Sequence, residues 1–373
     1  QGMRAIDNVF MASTNWIYGI FNSQIVLGNS QFNRMITHNK TPLNILKDSG
    51  QRLFVKILDK YHLLTIPAIY QMDINVSTWY YRLNDDILKI EVGIAPIDNQ
   101  IVMNVSSKNN QIYDFILTQQ MVMSDIEYHY PIKTIIRDEM VEFFFDENTL
   151  THQFYPSYSF ITTISTNGQY QYFNDELFYS DGLSRGNPLF CIKIDQASSF
   201  NLRITGKTAT DAIINSQSIY ELKKGYLELH QKSIRHFHLN IDLNNKHYQE
   251  IQKFNVLVPW YTHNALIHYS SPHGLEQYGG GAWGTRDICQ GPVELFTAFS
   301  RFDLVRKVIL KVYERQFYET GDWPQWFMFD KFKHIQADSS HADIIVWPLY
   351  VVGRYLLNTN DLDVLEEIVP YTS

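Results

Sequence analysis

Leu88-Lys-Ile-Glu-Val-Gly-Ile94 is the stretch on which the fold class turns. Its apolar residues fall at every second position, the period of a strand with one buried face. The same reading extends to Ile101-Val-Met-Asn-Val105, Ile112-Tyr-Asp-Phe-Ile-Leu117, Val141-Glu-Phe-Phe-Phe145 and Leu189-Phe-Cys-Ile-Lys-Ile194. Turn formers separate these runs: Asn84-Asp-Asp86, Asp98-Asn-Gln100 and Ser106-Ser-Lys-Asn-Asn110. Short polar side chains of this kind bond to nearby backbone and accept left-handed conformations. Many short strands with closely spaced turns predict a β-sandwich over residues 1–218. No strand–helix–strand alternation appears, so a doubly wound nucleotide-binding sheet is not expected.

The pattern changes at Ile219. Leu222, Tyr226 and Leu229 carry helical spacing, and few breakers follow through Gln249, so residues 219–253 are expected to form a helical linker. Residues 254–373 are expected to begin an (α/α)6 toroid, with long loops at one end building a pocket. Pro292 suits a first helical turn. Phe299, Phe302, Val305, Val308, Ile309 and Val312 follow at helical spacing, and Gly321 is the expected end of that helix. A second helix is expected from about His341 to Leu357, with Ser340 as its cap and Asp343 three residues on. Asp361 is the expected cap of a third.

Composition narrows the function classes. The chain has 373 residues and a formal net charge of −8, which gives no basic field for nucleic acid. Charged residues are 19% and hydrophobic residues 45%, the balance of a folded chain. The two cysteines, Cys191 and Cys289, exclude a disulfide framework or a cysteine-built zinc cluster. No apolar run reaches the roughly 18–20 residues that span a bilayer, and no leader pattern is visible, so a cytoplasmic setting is expected. An amphipathic pattern restarts at Leu362 and stops short at Ser373, so the chain is read as a fragment. Aromatic residues reach 14%. A flat apolar face with a polar tip suits a sugar ring, but it also suits a sandwich core.

Four segments could carry chemistry. In Tyr278-Gly-Gly-Gly-Ala-Trp-Gly-Thr-Arg-Asp-Ile-Cys-Gln-Gly-Pro292, the glycines allow close backbone approach, Trp283 offers a stacking face, and Arg286, Asp287 and Gln290 offer directional bonds to hydroxyls. The bland reading is a glycine-rich turn in which Arg286 pairs with Asp287. The segment is no phosphate-binding P-loop. In Thr320-Gly-Asp-Trp-Pro-Gln-Trp-Phe-Met-Phe-Asp-Lys-Phe332, Gln325 and Trp326 resemble part of a sugar platform; the bland reading is an apolar loop folded over the domain. In His334-Ile-Gln-Ala-Asp-Ser-Ser-His-Ala-Asp343, the residues Asp338, His341 and Asp343 match no metal-ligand spacing, and no metal is expected. In Pro259-Trp-Tyr-Thr-His-Asn-Ala265, Trp260, His263 and Asn264 open the helical region without a catalytic context.

The order of three motifs resembles the glycoside hydrolase family 94-type phosphorylases, the group containing cellobiose phosphorylase. These are Gly284-Thr-Arg-Asp-Ile-Cys-Gln290, Asp343 four residues before Trp347, and Val369-Pro-Tyr371. Gly281-Ala-Trp-Gly-Thr-Arg-Asp287 and Pro324-Gln-Trp326 are similar to the branch acting on β-1,2-linked oligoglucans, as are Ser23-Gln-Ile-Val-Leu-Gly-Asn29, Ser49-Gly-Gln-Arg52 and Trp79-Tyr-Tyr81. Members acting on cellobiose have an Arg six residues before the matching Asp, where this chain has Gly281.

The resemblance implies inverting phosphorolysis, in which an oligoglucan and inorganic phosphate give α-glucose 1-phosphate and a shortened chain. Phosphate is already an anionic nucleophile, so one carboxylic acid suffices where an inverting hydrolase needs two. The substrate-holding residues it implies are Trp283, Arg286, Asp287, Gln290, Gln325, Trp326 and Asp343. The general acid is expected after Ser373, so the fragment alone is expected to be inactive. No cofactor is implied beyond phosphate as co-substrate, and the family's sandwich–barrel dimers imply a homodimer. Two other readings stand beside it: an inverting (α/α)6 glycoside hydrolase, and a non-catalytic carbohydrate-binding protein or pseudoenzyme.

Overall fold

The computed structural model describes residues 50–95, 100–120, 132–137, 139–149, 152–153, 156–187, 189–207, 217–233, 237–270, 282–329 and 333–372, with three short strands inside 9–36. Two compact units divide the chain, one over Val9–Leu227 and one over Glu228–Ser373.

The first unit is built from antiparallel sheets. A five-stranded sheet runs in the order Gln169–Phe173, Leu189–Ala197, Tyr113–Gln120, Gly50–Ile57, Lys60–Leu63. An eight-stranded sheet runs in the order Lys133–Arg137, Met140–Phe144, Ser159–Thr166, Ser199–Lys207, Gln100–Ser107, Asp86–Ile94, Val76–Leu83, Ile69–Met72. Val9–Ser13, Ser23–Leu27 and Arg34–Ile36 form a third sheet. Every expected strand lies within one of these or overlaps it. Asn84 takes φ 52° in the hairpin that pairs Leu83 with Asp86, a conformation asparagine tolerates. Asp98 and Asn99, a turn expected from sequence, lie outside the described residues.

Strands from the two large sheets share one apolar cluster. Leu53, Val55, Phe115 and Ile194 of the five-stranded sheet meet Leu88, Ile90, Val105, Phe143, Phe160 and Phe200 of the eight-stranded one. Edge-on ring pairs such as Phe115–Phe200, with centroids 5.4 Å apart, place aromatic rings in this cluster. The Asp86–Ile94 strand departs from simple alternation at one end, where Val92, Gly93 and Ile94 are all buried. The cause is helix α1, Ile219–Ser233, whose Ile219 and Leu222 methyls would lie 3.0 Å from a β-carbon at position 93. A side chain at this position would have to push those methyls back, whereas glycine lets them pack closely.

The linker expectation is corrected in one respect. Helix does not run through 219–250, because residues 237–242 are irregular and 243–247 form turns led by Asp242 and Asn245 before α2, Tyr248–Ser270, begins. Asp and Asn side chains there bond their own backbone and compete with helix.

The second unit holds α2, then α3 (Thr285–Cys289), α4 (Gly291–Ala298), α5 (Phe302–Tyr313) and α6 (Val346–Thr359). Pro292 does occupy the first turn of α4. The single helix expected to end at Gly321 is two helices, broken at Ser300 with φ 56°. The second of these ends at Tyr313, and Gly321 serves a later turn, with φ 70°. The helix expected from His341 starts at Val346, because Ala342 takes φ 50° and residues 342–345 form turns. Asp361 precedes a 3-10 turn, Leu362–Glu366, without capping it; its carboxylate accepts from Tyr355 Oη at 2.6 Å. The apolar stripe of α5, from Leu304 to Val312, packs into a cluster with Phe296, Trp323, Phe327, Val351 and Tyr355.

Candidate functional site

A two-stranded ribbon joins two of the motif segments. Trp283 pairs with Phe327, and Gly284 pairs with Trp326. Thr285 locks the junction, with its N–H donating to the Gln325 carbonyl at 2.9 Å and its hydroxyl donating to the Pro324 carbonyl at 2.5 Å. Thr285 is fully buried, and a buried carbonyl left without a donor is costly. The chain enters α3 directly after this lock, so Arg286 and Asp287 fall on its first turn beside the ribbon.

A third segment is sewn to the same ribbon. Ala337 N–H donates to the Trp326 carbonyl at 2.9 Å, Met328 N–H donates to the Ile335 carbonyl at 3.0 Å, and Gln325 N–H reaches the Ser339 carbonyl at 3.4 Å. This hairpin leads into the turns that carry Asp343. One Asp343 oxygen accepts from Arg286 Nη1 at 3.3 Å, and the other accepts from the Trp347 indole N–H at 3.0 Å. The Trp347 indole, assisted by the Arg286 guanidinium, holds the Asp343 carboxyl below the usual carboxylate range.

Arg286, Asp287, Gln325, Trp326 and Asp343 therefore converge on one ribbon and its flanks, with Gln290 at the junction of α3 and α4. Arg286, Asp287, Gln290 and Trp326 are partly exposed and Gln325 is exposed. The expected bland pairing of Arg286 with Asp287 is replaced by Arg286 with Asp343. Among the described residues Asp287 makes no side-chain hydrogen bond or ion pair. The cap expected of Ser340 with Asp343 does not form, since Asp343 is committed to Arg286 and Trp347.

Trp283 is corrected. It is 1% exposed and lies edge-on to Phe329 at 4.8 Å, so its ring packs the core and presents no face to a sugar. The signal was ambiguous from the start, because a tryptophan beside glycines reads the same in a platform and in a core. Gly279, Gly280 and Gly281 lie outside the described residues, as do the side chains of His263 and Asn264. Among the described residues no group of three or more His, Cys, Asp or Glu side chains is placed to hold a metal ion. Cys191 and Cys289 are buried free thiols, and burial pushes the Cys289 thiol far up, so neither has thiolate character. No described helix is long and apolar enough to cross a membrane.

Thr285 and Arg315 escaped the sequence reading. Thr285 sits inside a quoted motif but acts through backbone carbonyls, and Arg315 does the same from the turn after α5. Carbonyl partners leave no mark in a sequence.

The geometry has relatives. Residues 1–206 match the family model described as the glycoside phosphorylase supersandwich domain. The chain is 35% identical over 368 residues to a curated 1,2-beta-oligoglucan phosphorylase of Listeria innocua serovar 6a. That match covers 97% of this chain and 32% of the relative, so the chain spans about a third of that protein's length. Among solved structures, a bacterial glucoamylase complexed with acarbose matches with a TM-score of 0.50 at 13% identity, over 94% of this chain and 56% of that one, a likeness of fold alone. With its sandwich sheets matched over more than half its residues, the chain belongs to the glycoside phosphorylase supersandwich domain family.

Proposed function

We propose that this chain is part of an inverting phosphorylase that cleaves β-1,2-linked oligoglucans with inorganic phosphate and yields α-glucose 1-phosphate. The observation that carries the reading is the 35% identity to a 1,2-beta-oligoglucan phosphorylase over nearly the whole chain. The convergence of Arg286, Asp287, Gln325, Trp326 and Asp343 on one ribbon supports it.

On this reading Asp287 accepts from two neighbouring hydroxyls of the transferred glucose, and Arg286, oriented by Asp343, donates to a third. Gln290 and Gln325 complete that subsite or an adjacent one, with Trp326 offering its partly exposed ring. Holding the sugar by its hydroxyls fixes the anomeric carbon for in-line attack, which recovers orientational entropy before the chemical step. None of the residues gathered here is assigned as proton donor to the departing oxygen; the family resemblance assigns that role to a carboxylic acid in a later segment of the longer polypeptide. The sandwich over 1–218, the linker over 219–253 and the helices from 254 as the opening of an (α/α)6 toroid belong to the same proposal. So do a cytoplasmic setting, in keeping with only two cysteines, and a homodimer, which rests on the resemblance.

The test uses the longer polypeptide. Incubation with β-1,2-linked glucose oligomers and phosphate is expected to release glucose 1-phosphate in step with chain shortening. Free glucose released without phosphate would favour a hydrolase, and no turnover with retained sugar binding would favour a binding protein.

A further inference from the structure

Arg315 is nine-tenths buried and faces no carboxylate in any ion pair among the described residues. Its two terminal nitrogens point to two different backbone positions. Nη1 donates to the Lys333 carbonyl at 2.7 Å, and Nη2 donates to the Met328 carbonyl at 2.9 Å. The guanidinium carbon lies 5.2 Å from the centre of the Phe327 ring, within reach of a cation–π contact. Burying a guanidinium costs several kcal/mol unless its donors are used, so its position here calls for a return.

That return is the ribbon's placement. Met328 and Lys333 lie on opposite arms of the hairpin whose first arm contains Trp326 and Phe327. Arg315 itself follows directly on α5, where Val305, Val308, Ile309 and Val312 are buried, and its N–H is tied back to the Val312 carbonyl at 3.0 Å. The rigid helix therefore grips both arms through one forked side chain. The first arm in turn pairs with Gly284 and bonds Thr285, one residue before Arg286. A lysine, with a single ammonium, cannot span two carbonyls on separate arms in the same fixed geometry.

We propose that Arg315 is a positioning residue for the carbohydrate site: it fixes the hairpin that carries Gln325 and Trp326 and, through Thr285, the first turn carrying Arg286 and Asp287. The inference rests on the functional reading above for the ligand and on the geometry alone for the clamp.

The experiment compares the wild-type protein with R315M, R315K and V364A. Amide hydrogen exchange is followed at Thr285, Met328 and Ala337, whose N–H groups bond across the ribbon and hairpin. Affinity for a β-1,2-linked glucotriose is measured by calorimetry on the same samples. R315M is expected to speed exchange at these three amides by about 10-fold or more while α5 stays protected, and to weaken sugar binding by about 10-fold. R315K, which can still reach one carbonyl, is expected to fall between wild type and R315M. It keeps the test open should R315M fail to fold. V364A, a core deletion outside α5 and the ribbon, is expected to leave affinity unchanged, as general destabilisation should. Unchanged exchange in both Arg315 variants overturns the clamp. Faster exchange with undiminished affinity overturns the positioning role. Faster exchange in the Arg315 variants, with no glucotriose bound by the wild type, retains the clamp and removes the carbohydrate reading instead.

Discussion

Arg286 donates to a carboxylate oxygen of Asp343 across 3.3 Å, and the two residues stand 57 positions apart in the chain. The side chains are 43% and 46% exposed, so the pair sits where water and salt screen it. Its contribution to stability is accordingly small, and its effect is to aim the guanidinium. D343N is expected to leave the unfolding midpoint nearly unchanged, while affinity for a β-1,2-linked glucotriose falls several-fold. Paired chemical denaturation and calorimetry check both halves.

Asp343 also sets a pH prediction. The Trp347 indole, the larger influence, and Arg286 hold its carboxyl below the usual carboxylate range. A depressed folded-state pKa means the contact is fully formed above the ordinary aspartate pKa and is lost only as pH falls through the lower folded value. The indole N–H resonance of Trp347 should therefore hold its position through the ordinary range and move at more acid pH. A midpoint at the ordinary aspartate value would contradict the contact.

Trp283 and Trp326 lie on the two paired strands of the ribbon and are opposite in role. Trp283 is 1% exposed within the apolar cluster, whereas Trp326 is partly exposed on the ribbon. W283A is expected to cost about 3–5 kcal/mol of stability, the range for deleting a large buried ring. W326A is expected to cost much less and to lower sugar affinity instead. Thermal melts beside calorimetry separate the two.

Asp175, in the first unit, is a buried carboxylate whose four donors all come from its own loop. Burial opposes its ionisation, but the Ser184 hydroxyl, the N–H groups of Asn187 and Arg185 and the Asn187 side-chain amide prevail and hold its carboxyl below the usual range. Its contribution is present above the ordinary aspartate pKa and is lost as pH falls through the depressed folded value. D175A is expected to destabilise the chain by about 1–3 kcal/mol at neutral pH, with the difference from wild type shrinking in strong acid. Urea titrations at neutral and acid pH measure it.

The sandwich was legible because a two-residue period survives one-sided burial, as in Leu88, Ile90 and Val105. Gly93 read as a strand position with no side chain; that it makes room for α1 depends on a contact from residues more than a hundred positions away. The helix limits were harder. Phe299 to Val312 keeps helical spacing across Ser300, so periodicity alone joined two helices that a single positive φ separates. In the site, hydroxyl-binding residue types marked Arg286, Asp287 and Gln325, but pairing was not readable. Arg286 chose a carboxylate 57 residues on over the one beside it, and Thr285 and Arg315 act on carbonyls that no residue letter reveals.

The central claim is that Asp287 holds the transferred sugar. Its side chain makes no hydrogen bond or ion pair among the described residues, so D287N removes none of those that hold the ribbon there. The decisive measurement is phosphate-dependent release of glucose 1-phosphate from β-1,2-linked oligoglucans by the longer polypeptide carrying D287N. A fall of about 100-fold or more, the scale expected when a reacting group is misplaced, with an unchanged melting temperature is the predicted result. Near-normal turnover would contradict the assignment.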